Sequence, residues 1–172
     1  MRKAFTLIEL MISITILSIM MLFLYKSYAD MNVSNRVYVK EAKKLAKLET
    51  IKKITYLDLS LAFPKSIKII KENSNRDILF MQTKHSLHRR ILPFVAYIMK
   101  DKKLYRLESR QAFTKYPLNT DISFDIDYIG KVKKFRIYAP KDPKKAIYLF
   151  NIVFKNKTEI LQRVKVLTDV SQ

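Results

Sequence analysis

The chain has 172 residues, room for one modest domain and an anchor, and 34 basic against 15 acidic side chains give it a formal charge of +19. The absence of cysteine excludes disulfides and thiol chemistry, and the single glycine, Gly130, excludes P-loops, dinucleotide fingerprints and other Gly-rich phosphate cradles. The charge favours anionic partners, yet the lysines are scattered along the sequence from Lys26 to Lys165.

The first element is apolar. Phe5 to Leu24 carries one charge, Glu9, and twenty helical residues span about 30 Å, the thickness of a bilayer core. Thr6, Ser13, Thr15 and Ser18 can bond back to helix carbonyls and are tolerated there. Arg2 and Lys3 precede the run, which places the N-terminus in the cytoplasm and the remainder outside. Glu9 is the anomaly, because an ionised side chain in hydrocarbon costs at least ~2.5 kcal/mol. Three readings compete. A cleaved secretory signal could use Ser27-Tyr28-Ala29 as its small-x-small site, but the apolar run is long, Lys26 intervenes, and Glu9 does not suit a signal core. A plain signal anchor would leave Glu9 snorkelling towards the headgroups. The third reading rests on Lys3-Ala4-Phe5-Thr6-Leu7-Ile8-Glu9-Leu10, which closely resembles the processing site of the type IV pilin and pseudopilin family.

The resemblance implies a short leader, residues 1–4, removed by prepilin peptidase between Ala4 and Phe5, with N-methylation of Phe5. Ala4 stands where the family usually has Gly and keeps that position small. Glu9 becomes the fifth mature residue. The resemblance further implies that Glu9 sets subunit registry by pairing with the Phe5 amine of a neighbouring subunit, a contact worth more in lipid than in water.

Beyond the span, Tyr25 and Tyr28 suit a membrane interface. Tyr38, Ala42, Leu45 and Leu48 then follow helical spacing among lysines, a stripe expected to pack against the domain. No Pro or Gly interrupts Phe5 to Ala62, so one helix is expected to about Ile54, with an apolar stretch, Leu57 to Phe63, ending at Pro64. Strands follow: Ile67–Ile70, Asp77–Thr83, then Phe94–Met99 and Leu104–Leu107 as a hairpin across Lys100-Asp101-Lys102-Lys103. Ile122, Phe124, Ile126 and Tyr128 alternate as one half-buried strand, Gly130-Lys131 reads as a turn, and Val132–Tyr138 returns. Ile147–Phe154 and Ile160–Leu167 form a last hairpin around Asn156-Lys157.

The fold class is therefore α+β: a long N-terminal helix, transmembrane in its first half and amphipathic in its second, packed on a mostly antiparallel β-sheet domain, as in pilin-like proteins. The expected segments are a leader 1–4, a transmembrane helix 5–24, its amphipathic continuation 25–63 and a periplasmic β-sheet domain 64–172. The "FVAYIMKDKKLYRLES" hairpin is most similar to the J-type minor pseudopilins of type II secretion.

No catalytic residues and no cofactor are expected. His85 and His88 lie in "KHSLHRR" without a neighbouring carboxylate, so no metal is assigned to them. Asp125 and Asp127, with Asp121 before them, could attract calcium, but the alternation makes them the solvated side of their strand. Removal of Arg2 and Lys3 leaves a charge of +17 (19 − 2), and Tyr97, Tyr105, Tyr116 and Tyr138 could stack on bases. Packing tyrosines and solvated lysines are the plainer reading, which keeps nucleic acid a secondary partner. The expected partners are prepilin peptidase, other pilin-like subunits through helix–helix packing, and the inner membrane. The chain would cross that membrane once and join a periplasmic filament.

Overall fold

The computed structural model describes residues 6–118, 122–140 and 146–167. The expected cleavage pair Ala4–Phe5 and Asp121 lie outside them. The chain divides into two compact units, Met1–Leu48 and Glu49–Gln172.

Helix α1 runs from Leu7 to Ser60, uninterrupted as its lack of Pro and Gly predicts. It continues six residues past the expected end at Ile54. Its buried positions are Ile51, Thr55, Asp58, Leu59 and Ser60, and the first four follow the i, i+4, i+7, i+8 spacing of a single face. The stripe expected to pack lies earlier and is not buried: Tyr38 is 73% and Leu45 62% exposed. Lysines flank that stripe densely, whereas the face from Ile51 combines apolar side chains with two hydrogen-bonding ones. Beyond Ser60 the chain joins the sheet. Phe63 N donates to Gln82 O at 2.9 Å, and Ala62 bridges Thr83. A single 3₁₀ turn, Pro64–Ser66, places proline where its missing N–H is not needed.

Seven strands make one sheet in chain order: β1 Lys68–Asn73, β2 Arg76–Gln82, β3 Phe94–Lys100, β4 Lys103–Ser109, β5 Phe124–Tyr138, β6 Ile147–Phe154 and β7 Glu159–Lys165. All neighbours pair antiparallel, with one added parallel contact between β2 and β5 at Arg76 and Phe135. The β3–β4 hairpin turns on Asp101 and Lys102, both at positive φ (51° and 57°), the backbone of a two-residue primed turn.

Gly130 corrects the expectation of a turn. β5 runs straight through it for 15 residues, pairing with β4 in its first half and β6 in its second. Leu104 pairs with Gly130 while Tyr105 pairs with Tyr128, so Ile129 is the extra residue of a β-bulge. Glycine gives room there: a Cβ on Gly130 would meet Phe154 Cε1 at 3.0 Å, so the ring would have to shift by a few tenths of an ångström. Sheet twist and the bulge together bring the second half of β5 beside the start of β2.

The sheet has two covered faces. One carries Ile78, Phe80, Ala96, Ile98 and Leu107, closed by Phe113 and the half-buried Tyr116, Leu118, Ile122 and Phe124. The other carries Tyr97, Phe135 and Phe150, whose rings pack at centroid separations of 5.6–6.1 Å. Gln162 of β7 shares that face and meets Thr55 of α1 at 3.0 Å, so the helix packs there.

Candidate functional site

Two groups of residues stand out, one at each end of α1. At its start, Thr6 and Glu9 form a reciprocal cap. Thr6 N and Oγ1 donate to Glu9 Oε2 at 2.9 and 2.8 Å, and Glu9 N donates to Thr6 Oγ1 at 3.4 Å. The carboxylate thus satisfies N-terminal donors of its own helix. Both bonds use Oε2, and Oε1 has no hydrogen-bond partner among the described residues. A carboxylate offers about four lone-pair sites, so the cap by Thr6 does not exhaust what Glu9 can accept. The pattern Thr6-x-x-Glu9 is a capping-box signature in the sequence, a local signal independent of the membrane cost of the acid. It also corrects the role of Thr6, which caps and does not bond back along the helix.

Ser13, Thr15 and Ser18 do bond back, each to the carbonyl four residues earlier at 2.8 Å. Their hydroxyls are thereby hidden from an apolar surround. The large apolar side chains from Leu7 to Leu24 are all between 51% and 78% exposed. The helix is long and apolar enough to cross a membrane, with a mean hydropathy of 2.5 in its best window. This surface needs lipid or other helices to cover it.

The second group is buried where α1 meets β3 and β4. Asp58, Arg106 and Glu108 are fully buried. Arg106 donates Nε and Nη2 to Asp58 at 2.7 and 3.1 Å, a two-pronged pair, and Nη1 to Glu108 at 2.7 Å and Asp127 at 3.1 Å. Tyr97 stands directly opposite Arg106 in the ladder and donates its hydroxyl to Asp58 at 2.6 Å. His85 Nδ1 lies 2.5 Å from the same carboxylate. Glu108 accepts from Ser86 Oγ at 2.5 Å and Leu87 N at 3.0 Å, which ties the loop before β3 to the sheet. Burial alone would lower the Arg106 pKa, but hydrogen bonds and Coulombic attraction from Asp58 outweigh it and hold the guanidinium above its ordinary value. Burial raises Tyr97 well above the usual phenol range. At Glu108 burial pushes upward, yet bonds from Ser86, Arg106 and Leu87 bring the carboxyl below its ordinary value. This network fixes helix to sheet, and a buried pair of this kind specifies orientation more than it adds stability.

The structure revises several expectations here. His85 and His88 do have carboxylate neighbours, Asp58 for the first and Asp127, at 3.0 Å, for the second. Those contacts arise between distant elements, so local spacing could not reveal them. Among the described residues, no group of His, Cys, Asp or Glu is arranged to hold a metal. Asp125 and Asp127 are half-buried and engaged with Arg90 and Arg106, whereas Ile126 and Tyr128 are 60% and 48% exposed. The face expected to be solvated is therefore the one Arg106 draws inward. Tyr97 is buried and unavailable for stacking on bases, and Tyr105 and Tyr116 pack against the apolar cluster.

Residues 1–25 match the family described as the prokaryotic N-terminal methylation motif. The match covers the Lys3–Leu10 segment and the apolar run, and it is consistent with a type IV pilin-like protein. No curated protein matches the chain.

Proposed function

We propose that this chain is a minor pseudopilin of a type II secretion system, a structural subunit without enzymatic activity. Prepilin peptidase cuts it between Ala4 and Phe5 on the cytoplasmic side of the inner membrane and methylates Phe5. The apolar segment from Phe5 to Leu24 then leaves the bilayer to pack against the helices of other pilin-like subunits, at or near the tip of a periplasmic filament. The observation that carries this reading is the methylation motif at residues 1–25 running into an apolar helix that no part of the described chain covers. The cap supports the registry step, because Thr6 engages only Oε2 and a carboxylate that keeps its helix cap can still accept the Phe5 amine of a neighbour. The β3–β4 hairpin, with Tyr97 and Arg106 opposite one another, supports the J-type assignment.

Deletion from the native host tests the system served. The expected result is loss of protein export across the outer membrane with surface pili and DNA uptake intact. The reverse pattern assigns the chain to a pilus or competence apparatus. Glu9→Ala tests the registry step: the variant remains in the membrane fraction but no longer cross-links to other pilin-like subunits. Undiminished cross-linking contradicts the pairing.

A further inference from the structure

The fold gathers lysines that the sequence scatters. Lys100 stands opposite Lys103, and Lys103 opposite Lys131, so one row across β3, β4 and β5 carries three like charges. Like charges directly opposite one another weaken a sheet, and all three of these lysines are exposed. The row borders a cleft of about 1090 Å³ lined by Arg76, Lys102, Lys103, Lys131, Lys133 and Lys155. Asp101 is the one acid among its described lining residues. The five lysines are exposed, and their side chains have no partner among the described residues. Arg76 pairs with Glu72 through Nη2 and donates Nη1 to Met99 O at 3.3 Å, but its Nε is buried and unpaired.

The backbone around the cleft is held in place. Val132 N donates to Lys102 O at 2.8 Å, Lys155 N to Lys131 O at 2.9 Å, and Phe135 N to Asn75 O at 2.9 Å. Cations mounted on such a frame meet an anion without ordering a loop first, which is the benefit of preorganisation. The lining contains no aromatic ring; its apolar members are Met99 and Val132. A single-stranded nucleic acid site normally supplies rings for the bases to stack on, so the chemistry favours charge recognition alone.

We infer that this cleft binds a compact, multiply charged phosphate-type oxyanion, held by Lys103, Lys131 and Lys155, with Arg76 also in the lining. Inorganic tripolyphosphate is the probe, titrated calorimetrically into the full chain in neutral detergent at low and high salt. Three proteins are compared: the parent, the cleft triple Lys103→Gln/Lys131→Gln/Lys155→Gln, and a control triple of equal charge, Lys65→Gln/Lys115→Gln/Lys165→Gln, at exposed sites elsewhere. The expected result is saturable one-to-one binding that falls at least tenfold in the cleft triple and less than twofold in the control. Glycerol 1-phosphate, titrated in parallel, separates the sources: stronger binding of it indicates a lipid headgroup, and stronger binding of tripolyphosphate a free polyphosphate. Equal losses in both triples, or no saturation, would show general counterion attraction and overturn the site. A single-stranded oligonucleotide that outcompetes tripolyphosphate at equal phosphate concentration would overturn the ligand class.

Discussion

At the residue scale, Asp58 is the most consequential side chain of the domain. It is a buried acid on a helix, and Arg106, Tyr97 and His85 all converge on it. Removing it leaves a buried guanidinium facing a void, a change that typically costs about 3–5 kcal/mol. Asp58→Ala is therefore expected to lower the urea midpoint steeply, while Tyr97→Phe, which loses one hydrogen bond to a charged group, costs about 1.5 kcal/mol. An Asp58→Ala protein as stable as the parent would refute the network's role. Glu108 gives a pH signature. Its folded pKa lies below its ordinary value of 4.5, so its contribution is present above pH 4.5 and drains away as the pH falls below it. Glu108→Gln is expected to flatten the stability profile in that acidic window. A variant whose profile parallels the parent's below pH 4.5 would show that other groups dominate.

At the scale of elements, the order of helix and strands was legible because each carries a strong local pattern. Unbroken apolar and amphipathic sequence gave α1, and alternation with polar tetrads gave the hairpins. What escaped were features decided by contacts between elements. Gly130-Lys131 looked like a turn because glycine usually marks one, yet Gly130 is there to let β5 pass the ring of Phe154. Asp125 and Asp127 looked solvated because Arg106 and Arg90, their partners, lie far off in sequence. Tyr97 and Arg106 of the buried network lie within the "FVAYIMKDKKLYRLES" hairpin, but their partner Asp58 on α1 is far off in sequence. Gly130→Ala tests the close approach. Phe154 is only 8% exposed and has little room to yield, so overpacking of about 1 kcal/mol is expected, and Phe154→Leu should relieve it. Unchanged melting in Gly130→Ala would mean the ring moves freely.

At the scale of the whole molecule, two demands are placed on one helix. Its last turns hold the sheet through Asp58, while the large apolar side chains from Leu7 to Leu24 stand exposed among the described residues. A lone span could serve as an anchor, but an anchor needs no acid at Glu9. The apolar run and its acid are plain in the sequence, and the Thr6-x-x-Glu9 spacing also carries the capping-box signature by which Thr6 engages the same carboxylate. Pairing with Glu9 requires removal of residues 1–4, since only that exposes the Phe5 amine. Intact-mass measurement of protein purified from native membranes tests it most directly. The predicted mass is that of the chain from Phe5 to Gln172 carrying one added methyl group. A mass that retains Met1, or one that begins at Asp30 after cleavage by signal peptidase, contradicts it.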